Sequence, residues 1–337
     1  MKFTEFSRNL IQCSSLISSL YDFCCSFNLY KKFVNNKIKQ RIEYLKTHKE
    51  IKFMLEITSV CNAKCSFCPY STMKREKKRM SDDIFFKITE RIKQENIVPV
   101  SFDLWNIGEP FLDNTIFERI KILKENFPKV PIHITSNFEI VDNNTIEQLL
   151  DCDIDFINIS LNATNKEAYY DIMKLDYDKT IKNIDSLIKY KKQKNKNLRI
   201  SLSMILYNTK ILEVLKFLFK YFFKVDTIKF QKATNWMKEV NIDSAIYKAK
   251  RKMYPCNEIW ERLPILSNGE YALCCQDAEG LSKINVLDVP ILEAYNSEFY
   301  RKTREIHLSG NLKNFEICNN CFGINSNGAN WIFIRRY

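Results

Sequence analysis

A chain of 337 residues, 45% hydrophobic and 27% charged, is long enough to bury a large core and is read as one large domain with a smaller one attached. The net charge of +12 is carried without any long basic block, which argues against a nucleic-acid partner. Twelve cysteines, with wide cysteine-free stretches and no signal-peptide pattern, argue against a secreted disulfide scaffold and for metal binding in a reducing, cytoplasmic compartment.

Residues 1–50 read as a helical extension. Leu10, Cys13, Leu16, Ile17, Leu20, Cys24 and Phe27 recur at helical spacing, and the basic run KKFVNNKIKQR follows. Such a helix either docks on the protein body or lies on an anionic membrane surface. No stretch is apolar for long enough to span a bilayer. From residue 51 strands and helices alternate. KFMLEIT is a strand, Ser81 starts the helix DDIFFKITERIKQ, and VSFDLWN is the second strand, followed by the helix NTIFERIKILKEN. VPIHITSN, NNTIEQLL and DFINISLN continue as strand, short helix and strand. Thr164 with Glu167 forms a capping box for NKEAYYDIM, and DKTIKNIDSLIKYKKQK extends the helical layer. LRISLSMIL, KILEVLKFLFKYFF and DTIKFQKA complete six units.

Strict alternation with strands apolar on both faces predicts an α/β fold, a parallel sheet wrapped by helices. Six units fall short of a closed eight-unit barrel, so residues 51–245 are expected to form a partial (βα)6 barrel of the TIM type. Residues 246–337 are expected to form a small cysteine-rich domain around the hairpin SNGEYALCC, with the tail NWIFIRRY packing back on the body.

The first strand runs directly into CNAKCSFC, where Cys61, Cys65 and Cys68 stand at spacings of four and three. Barrel chemistry sits at the C-terminal ends of strands, so this is where an active-site loop belongs. Three thiolates can hold three corners of a [4Fe–4S] cube and leave the fourth iron open. The alternative is a zinc site completed by one of three histidines, His48, His133 or His307.

LEITSVCNAKCSFC resembles the CxxxCxΦC signature of the radical S-adenosylmethionine (SAM) superfamily, with Phe67 as the aromatic. Glu56, Thr58 and Asn62 are also similar to frequent choices there. NIGEP at the end of the second strand resembles the family's Gly-x-Gly-Glu-Pro, with Asn106 in place of the first glycine. The resemblance implies that Gly108, Glu109 and Pro110 bind SAM, with Glu109 holding its amino group. Asn137 in TSN, and Ser160 and Asn162 in ISLNA, fall where the family's other SAM contacts lie; each could equally be a helix-capping residue. It further implies reductive cleavage of SAM to methionine and a 5′-deoxyadenosyl radical, and a reducing partner such as flavodoxin or ferredoxin. The likeness covers about residues 50–235.

Cys256, then Gly269 five residues before Cys274, then Cys318-x-x-Cys321, resembles the start of the SPASM pattern of auxiliary-cluster domains. Its later cysteines are missing, which implies one auxiliary [4Fe–4S] cluster, and two clusters in the whole chain. Cys275 competes with Cys274 as ligand, and a four-thiolate zinc knuckle is the alternative. Cys13, Cys24, Cys25 and Cys152 are expected to be small apolar residues.

Two substrate classes follow from the resemblance. One is a small hydroxyl-bearing, carbohydrate-like molecule that is dehydrogenated, or epimerised, with the auxiliary cluster accepting an electron in the oxidation. The other is a ribosomal peptide. Peptide modifiers often carry an N-terminal leader-binding domain with strands, and residues 1–50 read as helix only, which favours the small molecule. A zinc-stabilised binding protein is the non-enzyme alternative. Tyr70, Arg75, Lys229, Gln231 and Trp236 lie at strand ends or past the cysteine loop; none is assigned a catalytic role.

Overall fold

The computed structural model describes residues 36, 39–45, 48–194, 197–207, 209–238, 240, 255–312, 315–319, 321 and 331–334. The expected N-terminal helix over residues 10–27, with Cys13, Cys24 and Cys25, lies outside them.

Strand β1 (Glu50–Leu55) leads through the cysteine loop to helix α1 (Asp82–Gln94). Then follow β2 (Val98–Leu104), α2 (Ile116–Asn126), β3 (Ile132–Ser136), α3 (Asn143–Asp151), β4 (Phe156–Ser160), α4 (Lys166–Met173), α5 (Tyr177–Gln193), β5 (Arg199–Leu206), α6 (Ile211–Tyr221) and β6 (Thr227–Lys232). All six expected strands form, and their parallel order follows the chain. Helix starts follow local chemistry. Ser81 accepts the Ile84 N–H at 3.3 Å, Asp142 that of Thr145 at 2.7 Å, and Asp176 that of Lys179 at 3.1 Å. The capping box expected for α4 does not form. Asn165 caps the helix, accepting the Ala168 N–H at 2.9 Å, while the Thr164 hydroxyl donates to Glu213.

The C-terminal region adds α7 (Glu258–Glu261), β7 (Arg262–Ile265), α8 (Ile291–Tyr295), α9 (Glu298–Ser309), α10 (Glu316–Asn319) and β8 (Trp331–Ile334). β7 pairs in parallel with β1, Phe53 opposite Leu263. β8 pairs antiparallel with β6 at the other edge, Ile228 opposite Phe333. The sheet therefore runs β7-β1-β2-β3-β4-β5-β6-β8, seven parallel strands and one antiparallel, open between its two edges. The tail packs back as expected, as an edge strand. After β7 the chain reverses at Gly269, whose φ of 85° suits glycine, and Ala272 N–H donates to the Pro264 carbonyl at 3.0 Å. This is the expected hairpin.

One expectation needs correcting: the barrel strands are not apolar on both faces. Phe102, Leu104, Ile132, Ile134, Ile157, Ile159, Ile200, Leu202, Ile228 and Phe230 are fully buried in the core under the helices. The residues between them are Ser101, Asp103, His133, Thr135, Asn158, Ser160, Ser201, Ser203, Lys229 and Gln231. Alternation sends them to the opposite, inner face. On that polar face Ser101, Asp103, Asn158, Ser201 and Ser203 are buried, while His133, Thr135, Ser160, Lys229 and Gln231 are partly exposed.

Candidate active site

The cysteine loop is braced from three directions. Helix α4 ends at Lys174, which adopts the left-handed conformation (φ 60°), and its last carbonyls need partners. The loop supplies them: Lys64 N–H donates to Met173 O at 3.0 Å and Ser66 N–H to Ile172 O at 2.9 Å. From the far side Trp236 Nε1–H donates to Phe67 O at 3.1 Å. Trp236 and Met237 both have positive φ, a local strain that the surrounding contacts must hold. Tyr70 hydroxyl accepts the Cys61 N–H at 3.2 Å, and Cys61 Sγ accepts that of Ala63 at 3.4 Å.

The three thiols sit within electrostatic reach of one another. Burial pushes Cys61 up to about 12 and Cys68 up to about 11, so both are neutral thiols until a metal displaces the proton. Among the described residues no group of three or more His, Cys, Asp or Glu side chains converges on a single ion. Three thiols gathered on one loop are the donor set of an iron–sulfur cluster. No histidine joins it. His133 pairs with Asp103 at 2.9 Å, His48 stacks on Tyr44, and His307 accepts the Cys256 N–H at 3.2 Å.

The NIGEP segment packs directly over this loop. A Cβ on Gly108 would come within 2.0 Å of the Thr58 carbonyl oxygen, so only glycine lets the two backbones cross. Asn106 is not in the left-handed region, so the first family glycine is not needed for its backbone path. Its side-chain amide is buried with no partner among the described residues. Pro110 opens a short 3-10 turn.

Glu109 is fully buried, and its carboxylate accepts from Ser136 Oγ at 2.7 Å, Asn137 N–H at 2.7 Å and Phe111 N–H at 3.2 Å. Burial outweighs these bonds and pushes it up to about 7. Among the described residues no cation pairs with it, although it lies within electrostatic reach of Cys61 and Cys65. A buried acid with donors arranged and no counter-ion fits a ligand that brings a positive charge.

The other expected contacts divide. Asn137 lies beside Glu109, and its amide bonds Asn62 at 2.8 Å and the Glu139 N–H at 3.0 Å. Asn162 is committed to the protein, accepting the Ile205 N–H at 2.7 Å and donating to Met173 Sδ at 3.2 Å. Ser160 is half-buried on the inner face, in register with Ser203 and so with Lys229.

Sequence reasoning missed the use of Arg75, which does not line a cavity. It is buried, bonding Glu56 at 2.5 Å, Ser267 Oγ at 3.2 Å and Ala278 O at 2.5 Å. The Lys74 and Arg75 N–H groups donate to Glu279 at 2.7 and 3.1 Å, and Ser267 N–H donates to Glu56 at 3.0 Å. The loop of the first cysteines is thereby bolted to the C-terminal region.

There Cys274, Cys318 and Cys321 are buried, with Cys256 half-buried beside them. Cys274 lies within electrostatic reach of Cys318 and Cys321, and its Sγ accepts the Gln276 N–H at 3.4 Å. Cys275 faces Glu258 and Arg262 but also Cys321. Asp277 accepts N–H groups from Leu273, Gly280 and Leu281 at 2.8 to 2.9 Å, which folds the turn carrying Cys274.

The Radical SAM superfamily profile matches residues 55–218, and the SPASM profile, an iron–sulfur cluster-binding domain, matches residues 256–322. The chain belongs to the radical SAM superfamily. As a radical SAM enzyme with a SPASM domain, it has SAM and [4Fe–4S] clusters as cofactors. Solved structures share the fold. Streptococcus suis SuiB bound to its precursor peptide SuiA superposes with a TM-score of 0.59 at 17% identity, over 83% of this chain and 72% of that one. anSMEcpe with bound AdoMet gives 0.58 at 17%, over 80% and 88%. BtrN in complex with AdoMet and 2-DOIA gives 0.53 at 15%, over 81% and 92%. No curated protein sequence matches this radical SAM chain. Among its described residues no helix is long and apolar enough to cross a membrane.

Proposed function

We propose that this radical SAM enzyme dehydrogenates a small, hydroxyl-bearing, carbohydrate-like substrate held against the inner face of the barrel. Cys61, Cys65 and Cys68 would hold the SAM-binding cluster, and Cys256, Cys274, Cys318 and Cys321 the auxiliary cluster that accepts an electron. Gln276 bonds both Cys274 and Cys275, and both lie near Cys321, so the five-residue spacing from Gly269 is what favours Cys274. Residues 51–245 would form the catalytic barrel and 246–337 the auxiliary domain, which lends β7 and β8 to the barrel sheet.

SAM bound at the reduced cluster supplies a 5′-deoxyadenosyl radical that removes a hydrogen atom from an unactivated C–H bond. Glu109 would hold its ammonium, with Gly108 and Asn137 shaping the pocket around it. The substrate must then lose one proton and one electron for a hydroxyl carbon to become a carbonyl. Lys229 would take that proton. It faces inward, and burial first, then the Arg262 cation, push its ammonium below its ordinary range. A small carrier such as flavodoxin or ferredoxin would supply the reducing electron.

The observation that carries the reading is the inner face itself. Asn158 Nδ2 bonds Ser203 at 2.9 Å, but Asn158 Oδ1 and Ser201 Oγ are buried without a partner among the described residues. Hydroxyl groups of a substrate would satisfy them. A peptide substrate is the second reading, since SuiB is a structural neighbour bound to a precursor peptide. The test is anaerobic turnover with SAM, following deoxyadenosine and substrate mass together. Loss of two hydrogens from a polyol or sugar supports the proposal. Unchanged mass points to epimerisation, and turnover only with a peptide contradicts it.

A further inference from the structure

Helix α6 departs from the pattern of the other barrel helices. Its inner side, Val214, Phe217 and Tyr221, is buried against the sheet as expected. Its outer side is also apolar. Leu212, Leu215 and Phe219 recur at spacings of three and four and so share one face, and Phe223 follows in the turn just past the helix end. Phe219 is 79% exposed, Phe223 75% and Leu212 64%. Phe219 and Leu212 standing this far out of a folded protein mark a surface that meets another phase or partner.

Beside this stripe runs a row of lysines, Lys216, Lys220 and Lys224, all exposed and one turn apart. From Lys210 to Lys224 the segment has four lysines and a single acid, Glu213, which pairs with Lys216 at 2.9 Å. A second copy of this chain would bring lysines against lysines, on molecules of net charge +12. Anionic headgroups above an apolar layer match both rows at once: the rings enter the acyl boundary and the lysines stay at the phosphates.

We infer that α6 is a membrane-contact helix that seats the enzyme on an anionic lipid surface. Its N-terminal end lies at the rim of the active site, one short loop after Tyr207, whose ring meets Phe67 of the cysteine loop at 6.3 Å. The docked enzyme therefore carries its site opening close to the bilayer. The sequence of residues 10–41 has the same pairing of apolar and basic positions, so a second attachment there would reinforce the first.

The test is flotation of the full-length, cluster-loaded protein with vesicles of phosphatidylcholine alone, or with a third of phosphatidylglycerol. The expected result is partition into the anionic vesicles at least about tenfold stronger, weakening as salt rises. Phe219→Ser with Phe223→Ser should cut that partition by about tenfold or more while leaving iron content and circular dichroism unchanged. Three outcomes overturn the inference. These are no flotation with either vesicle, full flotation of the double variant, and a lipid-free dimer in the ultracentrifuge that the double variant abolishes.

Discussion

The two cysteine groups use the same side chain for opposite ends. The first sits on a loop braced by α4 and Trp236, its thiols half-buried, next to a carboxyl that lacks a counter-ion among the described residues. The second is enclosed by its own module, with Cys274, Cys318 and Cys321 buried and the turn that carries Cys274 tied by Asp277. On the proposed assignment one group keeps a place for a ligand and the other is closed. A cluster that must bind a cosubstrate needs the first arrangement, and one that only passes electrons needs the second.

The strongest way to break this contrast is to remove one ligand from each group. Cys61→Ser should abolish deoxyadenosine formation, a loss of about a thousandfold or more, while about four of the eight irons of two cubane clusters remain. Cys318→Ser should lose the other half of the iron yet still cleave SAM, yielding deoxyadenosine without oxidised product. Iron and sulfide analysis beside both product assays reads the difference. Equal loss of SAM cleavage in the two variants would erase the distinction.

Next in size is the bolt between the groups. Arg75→Gln leaves Glu56 buried without its cation, so stability to urea should fall by about 3 kcal/mol. The ratio of deoxyadenosine to product should rise as the two groups lose their fixed spacing.

Glu109 sharpens the contrast through pH. With its carboxyl pushed up to about 7, a ligand cation favours the ionised form, so binding releases a proton. SAM affinity should therefore rise about tenfold per pH unit while pH is well below 7, and level off above it. Glu109→Gln should bind SAM about tenfold more weakly at pH 7.5 and remove the slope, as read by equilibrium binding. The smallest effect expected is at Cys275, where Cys275→Ser should keep its full iron content and Cys274→Ser should not.

Much of this was legible in the sequence because it is local. The triplet, GEP and the strand–helix alternation are set by spacings of a few residues. Gly108 could be singled out by the motif, and its crossing with Thr58 gives the physical reason. The strand register also follows chain order, so the top of the barrel gathers the segments that the sequence had marked. The missed features are non-local or short. RLPI is only four residues, and its place beside β1 depends on a partner some 200 positions away. Arg75 looked like a loop cation because Ser267, Ala278 and Glu279 are equally distant in sequence. The polar inner face was misread since Ser, Thr and Asn between isoleucines pass for variation within a buried strand. Nor does a helix apolar all round say which side stays exposed, as Phe219 does on α6.

The central claim is that the first group leaves one metal position for SAM and the second leaves none. It is tested by electron paramagnetic resonance of the anaerobically reduced Cys318→Ser protein, with and without SAM. The account predicts a [4Fe–4S] signal whose shape changes when SAM is added, and no such change for the cluster that remains in Cys61→Ser. A signal indifferent to SAM in Cys318→Ser, or a colourless protein containing only zinc, would contradict it.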